Sequence, residues 1–384
     1  MQLGECTARD GRCVRGSEAD CLQGEYCQRE GQCGYDAERG LCVDERCAKT
    51  PGCRQWGRCK LENESCVPTA EGCTTSSIGC TRFGSCGPPP DGPPECDADE
   101  ASCRASAACR ALGECGVDPG EYYAECAAKT TRDCMESQAC KRDGRCQRDE
   151  ARHACWATAG GCKRSEACRV LGLCDLAPGA GEGGAPPLAP GAAPYGCYAG
   201  SDAACAAAKA CKDHGACAAF GGVCASAPGL SPPSCKEVEV LGLTATASTE
   251  HRATPPYRFE AAQLVDRDLR TSWQPASKKG GVGEKLQLHL PRRARLARLA
   301  IANGFQRRDQ LGDLWLMNNR VRQLAVRAGG VTVVVPVADV AFGFSDVALP
   351  PVETDSVEVE ILGVEDGTRW KDLALSELRV YACE

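Results

Sequence analysis

Downstream of position 235 the apolar residues alternate with polar ones in short runs: Val238 and Val240; Leu286, Leu288 and Leu290; Leu299 and Ile301; Leu324 and Val326; Val331 to Val337; Val357, Val359 and Ile361; Leu378 and Val380. A period of two sets one side-chain series on one face of a strand, and the glycines and prolines between runs mark turns. About eight such strands in about 150 residues, with no amphipathic helix between them, predict two packed antiparallel sheets, an all-β jelly-roll sandwich able to bury a real core. Upstream the pattern differs in kind. Apolar positions there are mostly Ala and Cys, and the feature that recurs is the cysteine itself.

Thirty of the chain's 32 cysteines lie between Cys6 and Cys224, in an internal period of roughly 24–30 residues. Each copy carries four. The clearest are Cys126, Cys134, Cys140, Cys146 and Cys155, Cys162, Cys168, Cys174, with others beginning at Cys13, Cys42, Cys66, Cys96 and Cys197. Most copies place a glycine two residues before the fourth cysteine, as in Cys140-Lys-Arg-Asp-Gly-Arg-Cys146. This spacing predicts one short helix per repeat, N-capped by residues such as Asp20 and Asp133 and ended by Gly144, Gly172 or Gly215. A unit below ~40 residues that is rich in Ala, Gly and charge buries too little apolar surface to fold alone, so disulfides must stand in for the core. The expected architecture is therefore small disulfide-rich repeats with short helices, followed by the sandwich.

Four cysteines permit three pairings. If one helix joins the second cysteine to the third, six residues at 1.5 Å each set them about 9 Å apart, beyond the ~7 Å reach of a bridge. That favours interleaving, first with third and second with fourth. Against it, Cys6 sits in a fourth-position context (Leu3-Gly4-Glu5-Cys6, like Leu112-Gly113-Glu114-Cys115) and Cys224 in a first-position one, so both would lack local partners. The expectation is interleaving, with the broken first copy pointing to repeats upstream. Zinc is the rival use of so many cysteines, but its ligand pairs usually lie about two to four residues apart. The closest pair here, Cys42 and Cys47, already sits at the upper end of that range, and no C-x-x-C redox pattern occurs.

This cysteine content predicts an oxidising compartment, with the protein secreted or at the cell surface. Met1 is followed at once by Gln2-Leu3-Gly4-Glu5-Cys6, with no charged and apolar leader, so the expected export signal would lie upstream. No run approaches the ~18 apolar residues of a spanning helix, and no membrane insertion is predicted. Residues 236–384 hold 20 Lys+Arg and 20 Asp+Glu, leaving 25 against 32 in residues 1–235, so the net charge of −7 sits on the cysteine-rich part. Neither half offers the concentrated basic field that nucleic acid requires. Arg292, Arg293, Arg295, Arg298, Arg307 and Arg308 read as solvated strand edges and loops, with an anionic ligand as the alternative.

The organisation predicted is tandem four-cysteine repeats over 1–224, with Pro- and Gly-rich spacers at 87–95 and 177–196, a linker at 225–234 and the sandwich at 235–384. Cys235 and Cys383 flank the sandwich. If its first and last strands lie side by side, a bridge between these two closes the domain, contributing about 4–5 kcal/mol in the chain-entropy account.

The order Ala247-Ser248, Tyr257, Leu264-Val-Asp-Arg-Asp268, Thr271-Ser-Trp273, Gly283-Glu284, Ile301-Ala-Asn303-Gly304-Phe305, Asn318-Asn-Arg-Val-Arg322, and Asp372 to Leu375-Ser376-Glu377 resembles a discoidin-like domain. More closely it is similar to the glycan-binding type attached to bacterial NAD glycohydrolases, a branch of the galactose-binding superfamily. The resemblance covers residues 235–384. The cysteine array is similar to repeats in secreted proteins of bacteria with GC-rich genomes, and that likeness implies no activity. The discoidin-like resemblance implies a calcium ion (Ca2+) held by backbone carbonyls with Asp266 or Asp268, Thr271 and Glu377, since calcium takes hard oxygen ligands. Asp268 and Thr271 equally suit capping of a tight turn. Sugar recognition needs a flat apolar face plus amide and charged groups, and Asn303, Trp315, Asn318, Asn319, Arg320, Arg369, Trp370 and Asp372 supply them on predicted loops. Trp273 reads as core, and Asn318 and Asn319 equally suit a turn.

Catalysis finds little support. His153, His214, His251 and His289 have no metal-ligand spacing, and no nucleophile elbow or phosphate loop occurs. NAD glycohydrolase activity does not follow from the resemblance, because function belongs to sites and the catalytic domain is not among these residues. The expectation is a non-enzymatic, secreted or surface-exposed glycan-binding protein, its sandwich presented on a cysteine-rich stalk to glycans of a cell surface or matrix. The alternative is a structural or protein-interaction module, the repeats binding protein partners and the sandwich binding no sugar.

Overall fold

The computed structural model describes residues 7–9, 12–14, 16–24, 27, 33–43, 47–62, 65–87, 95–120, 124–177, 196–277, 279–309 and 311–384. The spacers expected at 87–95 and 177–196 fall, apart from their ends, outside these residues, as does Cys6. Two compact units emerge: Met1–Cys140 with Cys146–Trp156 and Arg308–Asp313, and Lys141–Arg145 with Ala157–Arg307 and Leu314–Glu384.

A repeat combines a two-stranded hairpin with two short helices where one was expected. Hairpin Gly116–Asp118/Glu125–Ala127 leads into helices Thr131–Glu136 and Gln138–Asp143, and the next repeat repeats the scheme. In four repeats a serine three residues after the second cysteine sits at the break, and in the last repeat Ala208 holds the same place. Ser165 accepts from the Cys168 N–H at 3.0 Å and donates to the Cys162 carbonyl at 2.8 Å, ending one helix and capping the next. Ser106 and Ser137 do the same; Ser76 donates to the Cys73 carbonyl and accepts from the Cys80 N–H, but helix Gly79–Phe83 starts after Ile78 without a side-chain cap, and all four serines are fully enclosed. The first helix starts earlier than its acidic residue suggested. Thr130 is the N-cap, and Asp133 sits three residues inside, returning a bond to the Thr130 N–H in a capping box; Ser17, not Asp20, caps Glu18–Gln23.

Gly113 and Gly172 end the second helices with φ of 82° and 77°, in the left-handed region that favours glycine. A Cβ added to Gly113 would stand 2.6 Å from the sulfur of Cys155, and one on Gly172 2.5 Å from that of Cys224. These positions therefore exclude a side chain twice over, by backbone angle and by the close approach of a neighbouring bridge.

The bridges correct the interleaved expectation. Within each repeat the third cysteine joins the fourth across the glycine stop, as in Cys109–Cys115 and Cys168–Cys174, with Cα atoms 4.4 Å apart. The second cysteine reaches forward to the first of the following repeat, as in Cys103–Cys126, Cys134–Cys155 and Cys162–Cys197. The expectation failed because it closed each repeat on itself and assumed one helix, whereas the break between two short helices lets the second cysteine bond to the next hairpin. Cys224, a first-position cysteine, is accordingly bonded to Cys205.

Residues of the second half form a large antiparallel sandwich. Strand Lys285–Asn303 belongs to both sheets, bending where its register shifts between His289 and Ala294. Its first part runs between Thr244–Ala247 and Glu353–Glu365, and its last part between Ser345–Ala348 and Leu375–Cys383. Leu286, Leu288, Leu299 and Ile301 alternate inward with Leu324, Val326, Val357, Val359 and Val380 to make the core. Glu237–Glu239 pairs with Leu375–Cys383, and beside that pairing Cys235 is bridged to Cys383. The valine run at Val331–Pro336 breaks strict alternation because both faces of this strand are covered: Val333 and Val335 point into the core, and Val334 packs with Leu171, Leu173 and Ala199 of the last repeats. Hairpin Ala218–Phe220/Val223–Ala225 joins the same sheet, Ala225 opposite Val333. No helix among the described residues is long and apolar enough to cross a membrane.

Candidate functional site

Loop residues 367–372 follow strand Glu353–Glu365 and are fixed by the short helix Leu314–Met317 and the two asparagines after it. The Leu316 carbonyl accepts from the Thr368 N–H, and the Met317 carbonyl from those of Arg369 and Trp370. The Asn319 amide spans the loop, accepting from the Gly367 N–H at 2.8 Å and donating to the Lys371 carbonyl at 3.0 Å, while its backbone N–H reaches Asp372. Asn318 donates to the Leu314 carbonyl.

Beneath lies a second layer. Arg320 is wholly enclosed, forming a two-pronged ion pair with Asp339, donating to the Trp315 carbonyl and lying 4.3 Å from the centre of the Trp315 ring. The Trp315 indole donates to the Asn303 carbonyl, and the Asn303 amide pairs in both directions with the Val321 backbone. Asn303, Trp315, Asn318, Asn319 and Arg320 are thus buried, with their polar groups bonded within the protein. Arg369, Trp370 and Asp372 are not. Arg369 is exposed and lies 4.7 Å from the ring centre of the half-buried Trp370, and Asp372 is half-buried. The eight residues divide into a frame of five and a rim of three.

A neighbouring aromatic group carried no role in the sequence reading, although Tyr257 and Phe305 belong to the quoted motifs. Phe259 stacks on Tyr257, Phe305 meets both edge-on, His251 meets Phe259 edge-on, and Arg307 lies 5.0 Å over Tyr257. Their spacing gives no period that would have grouped them. Asp339, the partner of Arg320, carried no signal either. Trp273 is fully buried, its indole donating to the Thr249 carbonyl.

The oxygen donors proposed for calcium come together in part. Asp266 accepts from the Asp268 N–H and from the Thr271 hydroxyl at 2.8 Å. Glu377, only 1% exposed, accepts from the Arg267 N–H at 3.1 Å. Burial pushes the Glu377 carboxyl up to about 7, Arg379 and the Arg267 N–H only partly oppose that, and the charge of Asp266 adds to it. Asp268 is taken up otherwise: Arg270 grips both its oxygens at 2.8 Å and holds it below the usual carboxylate range. Two carboxylates and a hydroxyl, one carboxylate buried beside Arg379 at 3.4 Å, fit the hard-oxygen preference of calcium, with carbonyls and water needed to complete six to eight ligands. Among the described residues no group of three or more His, Cys, Asp or Glu side chains gathers around one point.

Residues 237–381 match the model of the NAD glycohydrolase translocation F5/8 type C domain. This part of the chain is a discoidin-like, F5/8 type C domain. Solved structures similar to it include the family 32 carbohydrate-binding module of Clostridium perfringens NanJ in complex with galactose, at 16% identity and TM-score 0.29, covering 38% of this chain and 99% of that one. An F5/8 type C domain from Bacteroides fragilis is similar at 14% identity and TM-score 0.30, covering 40% and 99%. The mycobacterial arabinofuranosyltransferase AftD is similar at 26% identity and TM-score 0.28, covering 38% of this chain and 11% of that one. No curated protein matches the chain. Within the discoidin-like domain, the rim of Arg369, Trp370 and Asp372 is the candidate ligand surface. The fifteen disulfides among the described residues fit an oxidising, extracellular environment.

Proposed function

We propose that the discoidin-like domain binds carbohydrate on the rim formed by Arg369, Trp370 and Asp372, and that the cysteine-rich repeats serve as its extracellular stalk. The observation that carries this reading is a half-buried tryptophan and an arginine on a loop whose backbone is clamped at Gly367 and Lys371 by the buried amide of Asn319. A sugar offers an apolar face to an aromatic ring and hydroxyls to planar charged groups, and a fixed loop presents both without an ordering cost. The match to an F5/8 type C family supports the same reading. Asp266, Thr271 and Glu377 would hold calcium beneath these loops, where the ion would supply positive charge and rigidity.

The test is a glycan array probed with the full chain and with Trp370→Ala, each with calcium and with chelator. A saccharide signal lost in the variant is expected. An array without signal, or a signal indifferent to the variant, would overturn the rim. Calcium should also raise the melting temperature of the wild type and not that of Glu377→Gln; no calcium-dependent shift in the wild type would remove the ion from the proposal.

A further inference from the structure

The compact unit of Met1–Cys140, Cys146–Trp156 and Arg308–Asp313 contains a cavity of about 550 Å³, lined by residues of the repeats and by Arg308, Gly312 and Asp313, and separate from the rim at Trp370. One wall is aromatic. Trp56 and Phe83 stack with ring planes 9° apart and centres 6.0 Å apart. Both occupy the same place in consecutive repeats, the last helical residue before the stop glycines Gly57 and Gly84. Other repeats place Leu112, Asp143, Leu171 and His214 there, so the fold of a repeat does not require an aromatic ring at this point. The pair is a local feature of these two repeats.

Charged planar groups share the lining with the rings. Arg58 pairs with Glu95 at the cavity, and Glu114 and Glu125 come from the two repeats that follow. Across the whole lining two arginines face four carboxylates. Such a surface both donates and accepts hydrogen bonds beside a flat apolar face. A sugar ring answers all three features, with C–H groups for the aromatic wall and hydroxyls that donate to carboxylates and accept from guanidinium. A simple cation has no acceptor for the arginines, and the acidic excess repels uronic acids, sialic acids and phosphates. The volume falls within the range of small-ligand sites and holds one or two sugar rings.

We propose that this cavity is a second saccharide site, for a neutral mono- or disaccharide, acting independently of the rim at Trp370. Nuclear magnetic resonance of the full chain labelled at its five tryptophan indoles separates the two, because Trp56 reports the cavity and Trp370 the rim. Assignment uses Trp56→Phe and Trp370→Phe. The probes are lactose, cellobiose and N,N′-diacetylchitobiose, with glucuronate and arginine methyl ester as anionic and cationic controls. At least one neutral disaccharide should move the Trp56 signal saturably, do so unchanged in Trp370→Ala, and bind roughly fivefold or more weakly to Glu125→Gln. Glu125 is exposed, so that variant keeps its fold, as unshifted signals from the other indoles would verify. The proposal is overturned if every neutral disaccharide leaves Trp56 unmoved, if arginine methyl ester alone moves it, or if Glu125→Gln binds as well as the wild type. Failure at Trp370 alone leaves the cavity standing.

Discussion

In the repeats the fully buried side chains include Cys73, Cys103, Cys134 and Cys162; in the sandwich they include Leu288, Ile301, Leu324 and Val359. The first set excludes water by covalent closure, the second by apolar area. A ring closed across six residues removes about 2–3 kcal/mol of unfolded-chain entropy in the chain-entropy account, and each repeat adds a second bridge. The sandwich has a single bridge, Cys235–Cys383, and a core drawn from both sheets. One material depends on redox state and the other on packing, so they should fail under different insults.

The largest contrast comes from reduction. Dithiothreitol should abolish amide protection in helices such as Thr131–Glu136 while strands such as Lys285–Asn303 stay protected, read by hydrogen exchange with mass spectrometry. Simultaneous loss in both would break the comparison. Conversely, Ile301→Ala should cost the sandwich about 3–4 kcal/mol in urea denaturation and leave exchange in residues 100–156 unchanged.

A smaller effect sharpens the electrostatic side. The folded chain keeps a proton on Glu377 up to about pH 7, whereas the unfolded chain releases it near the ordinary value of 4.5. The fold therefore binds more protons between those values: its stability is fully present below 4.5 and falls as pH rises towards 7. The fall should reach at most roughly 3 kcal/mol, vanish in Glu377→Gln, and leave the repeats unaffected. A flat profile in the wild type between these values would remove the burial argument. The smallest effect lies in the repeats. Ala208 occupies the place of the capping serines and makes no side-chain cap bond. Ala208→Ser should raise the thermal stability of its repeat by about 1 kcal/mol; no gain would mean that the kink is set by the bridges rather than by the hydroxyl.

Strand positions were legible wherever one face meets the core, as at Leu286, Leu288 and Leu290, because alternation encodes one-sided burial. The covering of the second face of Val331–Pro336 was present as an uninterrupted valine run, yet the partner lay more than a hundred residues away. The pairing of cysteines was not legible, since it crosses repeat boundaries and accompanies a helix break that falls at Ser137 in one repeat and at Ala208 in another. Residue type alone could not separate Asn319 from Asp372. Both suit a sugar, but only the packing of the Gly367–Lys371 backbone against the asparagine commits its amide to the interior.

The forward-reaching bridges decide what a protease could achieve. Cys73–Cys96 and Cys162–Cys197 each enclose a Pro- and Gly-rich stretch, so scission at either would leave the fragments tied by sulfur. Among the described residues the main chain is unringed in intervals such as Trp156–Gly161, which carries the hairpin exit and the helix cap, and over the ten residues 225–234 between Cys224 and Cys235. Scission in either spacer would thus shorten nothing, whereas a cut in the linker 225–234 would leave no bridge among the described residues tying the discoidin-like domain to the repeats.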